Sequence, residues 1–599
     1  MLLVWGIALV TTGLLVFGVW SFSFFIQKKY KLTSVESWVF TFVGFPLIVQ
    51  ILGLVSTPAA CVTALIFCGL GIFHTRDLKN SVSNIFKNEK YALIIPIFYL
   101  VLKSIDAASP LPHGDPLTYH LRGPAIWIEQ GRIIFPSSIP VAALCNLVEM
   151  YYLVSMQWSH WLSSFLNAQA AAHISAQWLS IWIGFVSSIV LLRNLFLVFR
   201  PNSLSFADSF SVLIAWFAAI APQTEWLVPL AKNNWLATSF ILASLFSFSS
   251  KAKIIRPELS GFSLAASYWA KGTNLLVIFP IIIAYFFKNR QRFNELFRFS
   301  LGAGIISLPF LIRNGFWTSN PFYPSEFGPL KSNLVSESDK LDVKGFFDPF
   351  HFPPPARFWN AVIHMFIPVL DSKKPLAFSG TITYLAGLFG VVVGCLQSKK
   401  IWLTFGVALC FFWPGAVIGP RFFEAHLLGY LIVLRLVGVC LLIYVIKGQK
   451  KKLAVALSFV SLLSVNLPVH VIWKDFIPTS KKSVEDVVYS LPMGAIYQCM
   501  NNLHDPIIVS DWLNTTYYVK TDIPTIGNHA PLEREMRRFT SFDSRLQRLK
   551  QMGFTHAWLA FPCGKDSDWP KCSALGVYSE KIISSRSVCR QGNTFVIAL

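Results

Sequence analysis

Apolar runs about as long as a bilayer is thick recur along this chain, and they leave few folds open to it. Met1–Phe25, Val39–Leu54, Tyr91–Leu102, Ile174–Phe199, Leu376–Cys395 and Leu427–Ile446 are examples. Most can cross or nearly cross ~30 Å of hydrocarbon as a helix. Such segments must satisfy their own backbone hydrogen bonds, which favours helices over loops or open sheets. Composition agrees: 54% of residues are hydrophobic and only 14% charged, against roughly 25% charged in a soluble domain. The sequence therefore describes an integral membrane protein, mainly α.

The net charge of +21 raises the question of nucleic-acid binding. From Lys474 onward there are 15 Lys/Arg and 12 Asp/Glu, so that region contributes only +3 and the membrane part the remaining +18. The excess lies in short clusters between apolar runs: Lys28-Lys29-Tyr30-Lys31, Lys288–Arg298, Lys399-Lys400 and Lys447–Lys452. Short basic loops between spans are what the positive-inside rule predicts. No basic groove with stacking aromatics emerges, which argues against a nucleic-acid partner.

Placing these clusters on the cytoplasmic side gives a consistent alternation of ~14 spans with both termini outside. Residues 1–90 form additional N-terminal transmembrane helices, 91–473 a transmembrane core with outer loops 106–140 and 314–375, and 474–599 a soluble outer domain. Val141–Phe165 breaks the alternation if it crosses, so it is read as a helix lying along the outer surface or dipping partway in. The first run has no basic n-region and is too long for a signal peptide, so it counts as a span. After Trp473 the charge density becomes ordinary. Pro506–Ser510, His556–Phe561 and Thr594–Ala598 read as strands, and Ser541–Gln551 as a helix with Phe542, Leu546 and Leu549 on one face. This is a small α/β domain. Its four cysteines, Cys499, Cys563, Cys572 and Cys589, permit one or two disulfides in an oxidising compartment, or free buried thiols.

Polar residues at one membrane face are where chemistry is to be sought. Five outer clusters qualify. In His113-Gly114-Asp115-Pro116-Leu117-Thr118-Tyr119-His120, Asp115 before a proline suits a helix N-cap. The same carboxylate also suits a general base at the membrane interface. His113, Asp115 and His120 form a weak pattern for a divalent metal, and no other cofactor is implied. The second cluster runs from Glu225-Trp226 to Lys232-Asn233-Asn234-Trp235. The third is Lys271-Gly272-Thr273-Asn274, whose lysine either snorkels to the interface or meets an anion. The fourth is Arg313-Asn314 followed by Asn320-Pro321-Phe322-Tyr323-Pro324, and the fifth is Gly419-Pro420-Arg421-Phe422-Phe423. Three basic residues on the outer face run against the charge trend. They fit a lipid phosphate, because Arg engages phosphate oxygens bidentately.

Asp115-x-x-x-Tyr119-His120, Trp127-x-x-x-Gly131, Lys271-Gly272-Thr273, Arg313-Asn314 with Asn320-Pro321-Phe322-Tyr323-Pro324, and Arg421-Phe422-Phe423 occur in an order that resembles the GT-C superfamily of membrane glycosyltransferases. The nearest kinship is with the branch of protein O-mannosyltransferases and the bacterial aminoarabinose transferase, glycosyltransferase family 39. The resemblance covers roughly residues 90–450, and the C-terminal domain is similar to the periplasmic domains of such proteins. It implies an inverting transfer of sugar from a polyprenyl-phosphate carrier to a lipid, glycan or protein acceptor. Asp115 takes the position of the base, with His120 and Glu225 as further catalytic candidates. Lys271, Arg313 and Arg421 match the residues that hold the departing phosphate. Tyr119, Asn234, Asn320 and Tyr323 are candidates for substrate contacts. One departure stands out: relatives often carry a second acid in the next outer loop, where this chain has Lys232-Asn233-Asn234.

The resemblance also implies a bacterial inner membrane, with the active site and C-terminal domain on the periplasmic side. Two other functions compete, a transporter or flippase of lipid-linked saccharide and a catalytically inactive GT-C relative. Neither GxSxG nor GxxxxGK[ST] occurs, so serine-hydrolase and Walker-type chemistry find no support.

Overall fold

The computed structural model describes residues 2–109, 116–139, 146–168, 172–199, 210–220, 227–249, 254–323, 329, 332, 334, 483–490, 493–510, 517–519, 523, 524, 526, 530–560, 575, 585–591 and 594–599. The spans expected between 376 and 472, together with His113, Asp115, Glu225 and Arg421, lie outside these residues. The described part is mainly helical with one small sheet. Among its helices, five are long and apolar enough to cross a membrane: Leu2–Lys29, Ser34–Gly53, Ala172–Val198, Gly272–Asn289 and Phe293–Thr318. The protein is a membrane protein.

Helices α1 (Leu2–Lys29), α2 (Ser34–Gly53) and α3 (Thr57–Ile72) run up and down through tight turns. Thr33 and Glu36 form a capping box that starts α2, and Ser56 caps α3 ahead of Pro58 at its first turn. These are the residue types that satisfy the orphan N–H groups of a helix start. Helix α4 (Thr75–Asp106) breaks at Glu89, where φ is −128° and ψ 20°. The span expected at residues 91–106 lies in the part of α4 after this break; α4 is not among the five helices above. After the short α5 (Arg122–Glu129) come α6 (Glu149–Phe165) and α7 (Ala172–Leu179), then a π-helical stretch, Ser180–Phe185, and α8 (Val186–Phe199). The bundle continues with α9 (Ser211–Ala219), α10 (Asn234–Leu245), α11 (Pro257–Ala270), α12 (Leu275–Asn289) and α13 (Phe293–Thr318).

Of the segment Val141–Phe165, expected at the outer surface or dipping partway in, the described part forms α6, which packs into the helical bundle. Every residue from Glu149 to Ser159 is buried. The Tyr151 hydroxyl donates to Phe42 O, near the middle of α2, over 3.1 Å, and Trp158 Nε1 donates to Cys61 O, near the start of α3, over 3.1 Å. Helix α6 therefore climbs from mid-bundle toward one end and lines the core with Tyr151, Tyr152 and Met156. Tyr151, Trp158 and Ser159 hydrogen-bond to neighbouring helices.

Helices α11 and α13 cross almost backbone to backbone. A Cβ on Gly261 would lie 1.9 Å from Phe299 O, and one on Gly302 would lie 1.8 Å from Glu258 O. Small residues at a crossing are how membrane helices approach closely. This contact fixes the relative position of Lys271, just past α11, and Arg313, near the end of α13.

The C-terminal domain contains α14 (Val484–Tyr489), α15 (Gly494–Asn501), α16 (Ala530–Arg537), α17 (Phe542–Gln551) and the strands β1 (Ile508–Ser510), β2 (His556–Ala560), β3 (Ser587–Gln591) and β4 (Thr594–Ala598). The strand order is β1-β2-β4-β3, with β1 and β2 parallel and the other pairs antiparallel. Three strands and α17 fall where the sequence places them. Edge strand β3, Ser-Val-Cys-Arg-Gln, has too little apolar alternation to stand out. Alternate residues separate the two faces of the sheet. Val509, Leu559 and Phe595 pack on Leu532, Leu546 and Leu549, while Trp558 and Val596 join the core continuous with the membrane helices. A disulfide ties Cys499 to Cys589; Cys563 and Cys572 lie outside the described residues.

Candidate functional site

The basic residues Lys28, Arg193, Arg256 and Arg298 mark one end of the bundle. The other end holds the α2–α3 turn, the C-terminus of α4, the start of α7 and Lys271. Residues 146–152 form a hub that runs from mid-bundle toward that end, tied by hydrogen bonds to α2, α11, α13, Lys232 and His120.

Helix α13 brings Arg313 to the hub. Its Nη1 donates to Asn146 Oδ1 over 2.6 Å, and its Nη2 and Nε donate to Asn314 Oδ1 over 2.9 and 3.2 Å. The guanidinium lies 4.7 Å from the Trp317 ring centroid and 5.0 Å from that of Phe310. Trp269 stacks on Phe310 with centroids 4.7 Å apart. Aromatic faces of this kind orient a guanidinium while leaving its charge in place. Arg313 is only 3% exposed, so it is held in the protein rather than snorkelling away.

Lys271 follows the last residue of α11 and is half-buried. Its Nζ donates to Asn234 Oδ1 over 2.5 Å. Asn233 Nδ2 donates to Ala270 O over 2.6 Å, which pins the start of α10 to the end of α11. The hub reaches the same place twice: Leu147 N donates to Trp269 O over 3.1 Å, and the Tyr152 hydroxyl donates to Lys232 O over 2.7 Å. Asn234 thus stands beside Lys271, two of the residues singled out in the sequence.

A helical turn opens at Pro116 and runs to His120, closed by Leu121 N donating to Pro116 O over 2.9 Å. Proline suits a first helical position because the N–H it lacks would have no intrahelical partner. Buried Leu117 and Leu121 anchor this turn. Its last residue, His120, is buried and pairs through Nδ1 with Glu149 Oε1. The second oxygen of Glu149 has no hydrogen-bond partner among the described residues. Tyr119 lies against the His120 ring, 4.3 Å between centroids, and packs on Ile126 and Ile139.

Asn320 and Tyr323 occupy the turn after α13. Ser319 takes a left-handed conformation at φ 58°, and Asn320 Oδ1 accepts from Phe322 N over 2.9 Å, an Asx-type turn. Tyr323 is buried and meets Phe135 edge-on at 6.4 Å, while Phe135 contacts Trp317 at 6.0 Å. Asn320 therefore shapes the turn, and Tyr323 extends the aromatic wall beside Arg313.

The structure brings His120, Asn234, Lys271, Arg313 and Tyr323 to one end and adds Asn146 and Glu149, which the sequence reading did not select. Glu149 carried a signal: a carboxylate amid the apolar residues of Val141–Phe165 is costly unless paired. Among the described residues no group of three His, Cys, Asp or Glu stands ready for a metal. The metal pattern itself includes His113 and Asp115, which are not among them.

The C-terminal domain covers this end. Tyr517 and Tyr518 meet the His173 ring edge-on, at 6.0 and 5.8 Å. Burial pushes the Tyr517 hydroxyl well above its ordinary range; Arg122 pulls it down and Glu129 up. Neutral aromatic residues thus close over α5 and the start of α7. No protein-family model and no curated protein matches the chain.

Proposed function

We propose that the protein is an inverting glycosyltransferase that moves a sugar from a polyprenyl-phosphate carrier to a lipid, glycan or protein acceptor. In this reading the chain has ~14 spans with both termini outside. The clustered end and the C-terminal domain face the periplasmic side of a bacterial inner membrane. Asp115, immediately before the Pro116 turn, takes the proton of the acceptor hydroxyl. The freed oxygen attacks the anomeric carbon on the face opposite the phosphate. The bond from that carbon to the phosphate oxygen breaks, and its electron pair leaves with the lipid phosphate. Lys271, Arg313 and Arg421 stabilise the charge that develops there; fixed cations in a low-dielectric site are worth far more than in water.

The observation that carries this reading is that residues 146–152 hold Arg313 through Asn146, His120 through Glu149, and the backbone next to the Lys271–Asn234 pair through Leu147 and Tyr152. Two cations held by amide oxygens, Arg313 also against aromatic faces, suit an anionic leaving group, and the buried carboxylate of Glu149 on the same hub suits a polar acceptor. Glu149 also supplies a carboxylate at the hub, although 232–234 has none.

The test is transfer of radiolabel from polyprenyl-phosphate-linked sugar in membranes with wild type or Asp115→Asn at equal expression. Label should reach an acceptor with wild type and fall at least a hundredfold with the variant, as for loss of a general base. Unchanged transfer in the variant removes Asp115 from the mechanism and directs attention to Glu225 and Glu149. No transfer from a broad donor panel with wild type contradicts the enzyme reading and favours a transporter or an inactive relative.

A further inference from the structure

Toward the basic end, a crevice of about 470 Å³ opens between α1, α2, α4, α8 and α9. Its volume falls within the range of small-molecule sites. Its lining changes along its length. Leu93, Ile97, Leu100, Phe185, Ile189 and Trp216 form the apolar part. Gln27, Ser34, Asn84, Arg193 and Asn194 form the polar part. Apolar walls that give way to hydrogen-bonding groups at a basic membrane end match an amphiphile with its head at that end.

Arg193 is the informative residue. Its Nε and Nη2 donate to Glu89 Oε1 over 2.9 and 2.6 Å, and its Nη1 donates to Asn194 Oδ1 over 3.2 Å. Glu89 Oε2 accepts from Ser211 Oγ and Val212 N, both over 2.8 Å. The carboxylate is saturated, whereas a guanidinium carries five N–H donors and these bonds use three. Arg193 lines the crevice and its side chain is 20% exposed. Lys28, Lys29 and Lys31 follow Gln27 directly in sequence, and Lys87 follows Asn84 by one turn. Arg193 is the one charged residue in the lining, and the N–H donors that Glu89 and Asn194 leave open pair well with phosphate oxygens.

We propose that this crevice is a binding site for one membrane phospholipid, its phosphate at Arg193 and Asn194 and one acyl chain along Ile97, Ile189 and Trp216. The lipid fills the gap between the N-terminal helices α1 and α2 and the core helices α4, α8 and α9, and so joins them. This site stands independently of the glycosyltransferase reading.

The test is native mass spectrometry of the full chain from nanodiscs containing phosphatidylglycerol, after exhaustive detergent washing. Wild type should retain one phosphatidylglycerol, and Ile189→Trp, which fills the crevice, should retain at least tenfold less. Phe297→Trp, on an exposed face of α13 away from the crevice, should retain it like wild type. Ile97→Trp, on the opposite wall, gives the same readout if Ile189→Trp does not fold. Diacylglycerol of the same chains should be held at least tenfold less well than phosphatidylglycerol, and inorganic phosphate alone should not displace the lipid. Equal retention by Ile189→Trp or Ile97→Trp and wild type overturns the proposal. So does equal retention of diacylglycerol, or displacement by inorganic phosphate.

Discussion

Three arginines at the basic end are held differently from Lys271 and Arg313 at the hub, although Lys103 and Arg122 at the hub end also meet carboxylates, Asp106 and Glu129. At the basic end the arginines meet carboxylates: Arg193 on Glu89 at 2.6 Å, Arg256 on Glu36 at 3.0 Å and Arg298 on Glu258 at 2.8 Å. At the hub end, Lys271 donates to the amide oxygen of Asn234, and Arg313 to those of Asn146 and Asn314. A carboxylate cancels the charge it binds. An amide oxygen orients the cation and contributes no opposing charge. The first arrangement suits structure, since it fastens helices: Glu36 caps α2 and also accepts from the backbone N of Arg256 over 3.0 Å. The second suits a site, since it positions cations for something that arrives.

The largest effect that sharpens this contrast is at Glu89, whose side chain is fully buried. Glu89→Ala leaves Arg193 without its carboxylate and deprives Ser211 and Val212 N of their acceptor. Breaking one partner out of a buried pair costs about 3–5 kcal/mol. Thermal melting of purified protein should show the loss, and a melt equal to wild type would break the contrast from the structural side.

Asn146→Ala comes next. A hydrogen bond to a charged group is worth about 1.5–3 kcal/mol, so the melt should fall by less than for Glu89→Ala. Transfer of labelled sugar should drop by at least tenfold because Arg313 loses its orienting bond. A melt effect larger than that at Glu89, with transfer intact, would make Asn146 merely structural.

The smallest effect lies outside both ends, at His556 in β2. Burial holds His556 below its ordinary 6.5, so the unfolded chain takes up the proton first as pH falls. The stability linked to this group is fully present above about pH 6.5 and declines below it. Unfolding of the C-terminal domain, followed from about pH 7.5 to about pH 5, should show this slope, and His556→Gln should flatten it. An unchanged slope in the variant would assign the acid sensitivity to other groups.

Some of this molecule was legible in the sequence for clear physical reasons. Long apolar runs mark spans because lipid allows little else, and the short apolar stretches Pro506–Ser510, His556–Phe561 and Thr594–Ala598 mark strands, whose two faces both pack into cores. The C-terminal helix was readable from Phe542, Leu546 and Leu549 on one face, which pack together in the domain core. Lys271 and Arg313 stood out because cations against the charge trend call for a partner. Asn146 carried no signal, and that of Glu149, a carboxylate in an apolar segment, did not name its partner, since both roles depend on α6 entering the bundle through tertiary contacts such as Tyr151 on Phe42 O. The pairing of Cys499 with Cys589 was likewise one of several that four cysteines allow; it needed β3 to be placed beside α15.

The most direct test of the contrast between the ends is binding of polyprenyl phosphate to purified protein in lipid nanodiscs. The double variant Lys271→Gln/Arg313→Gln should lose at least tenfold in affinity, while Arg256→Gln at the basic end should bind as wild type does. Equal affinity of the double variant and wild type would contradict the account, as would a loss of the same size from Arg256→Gln.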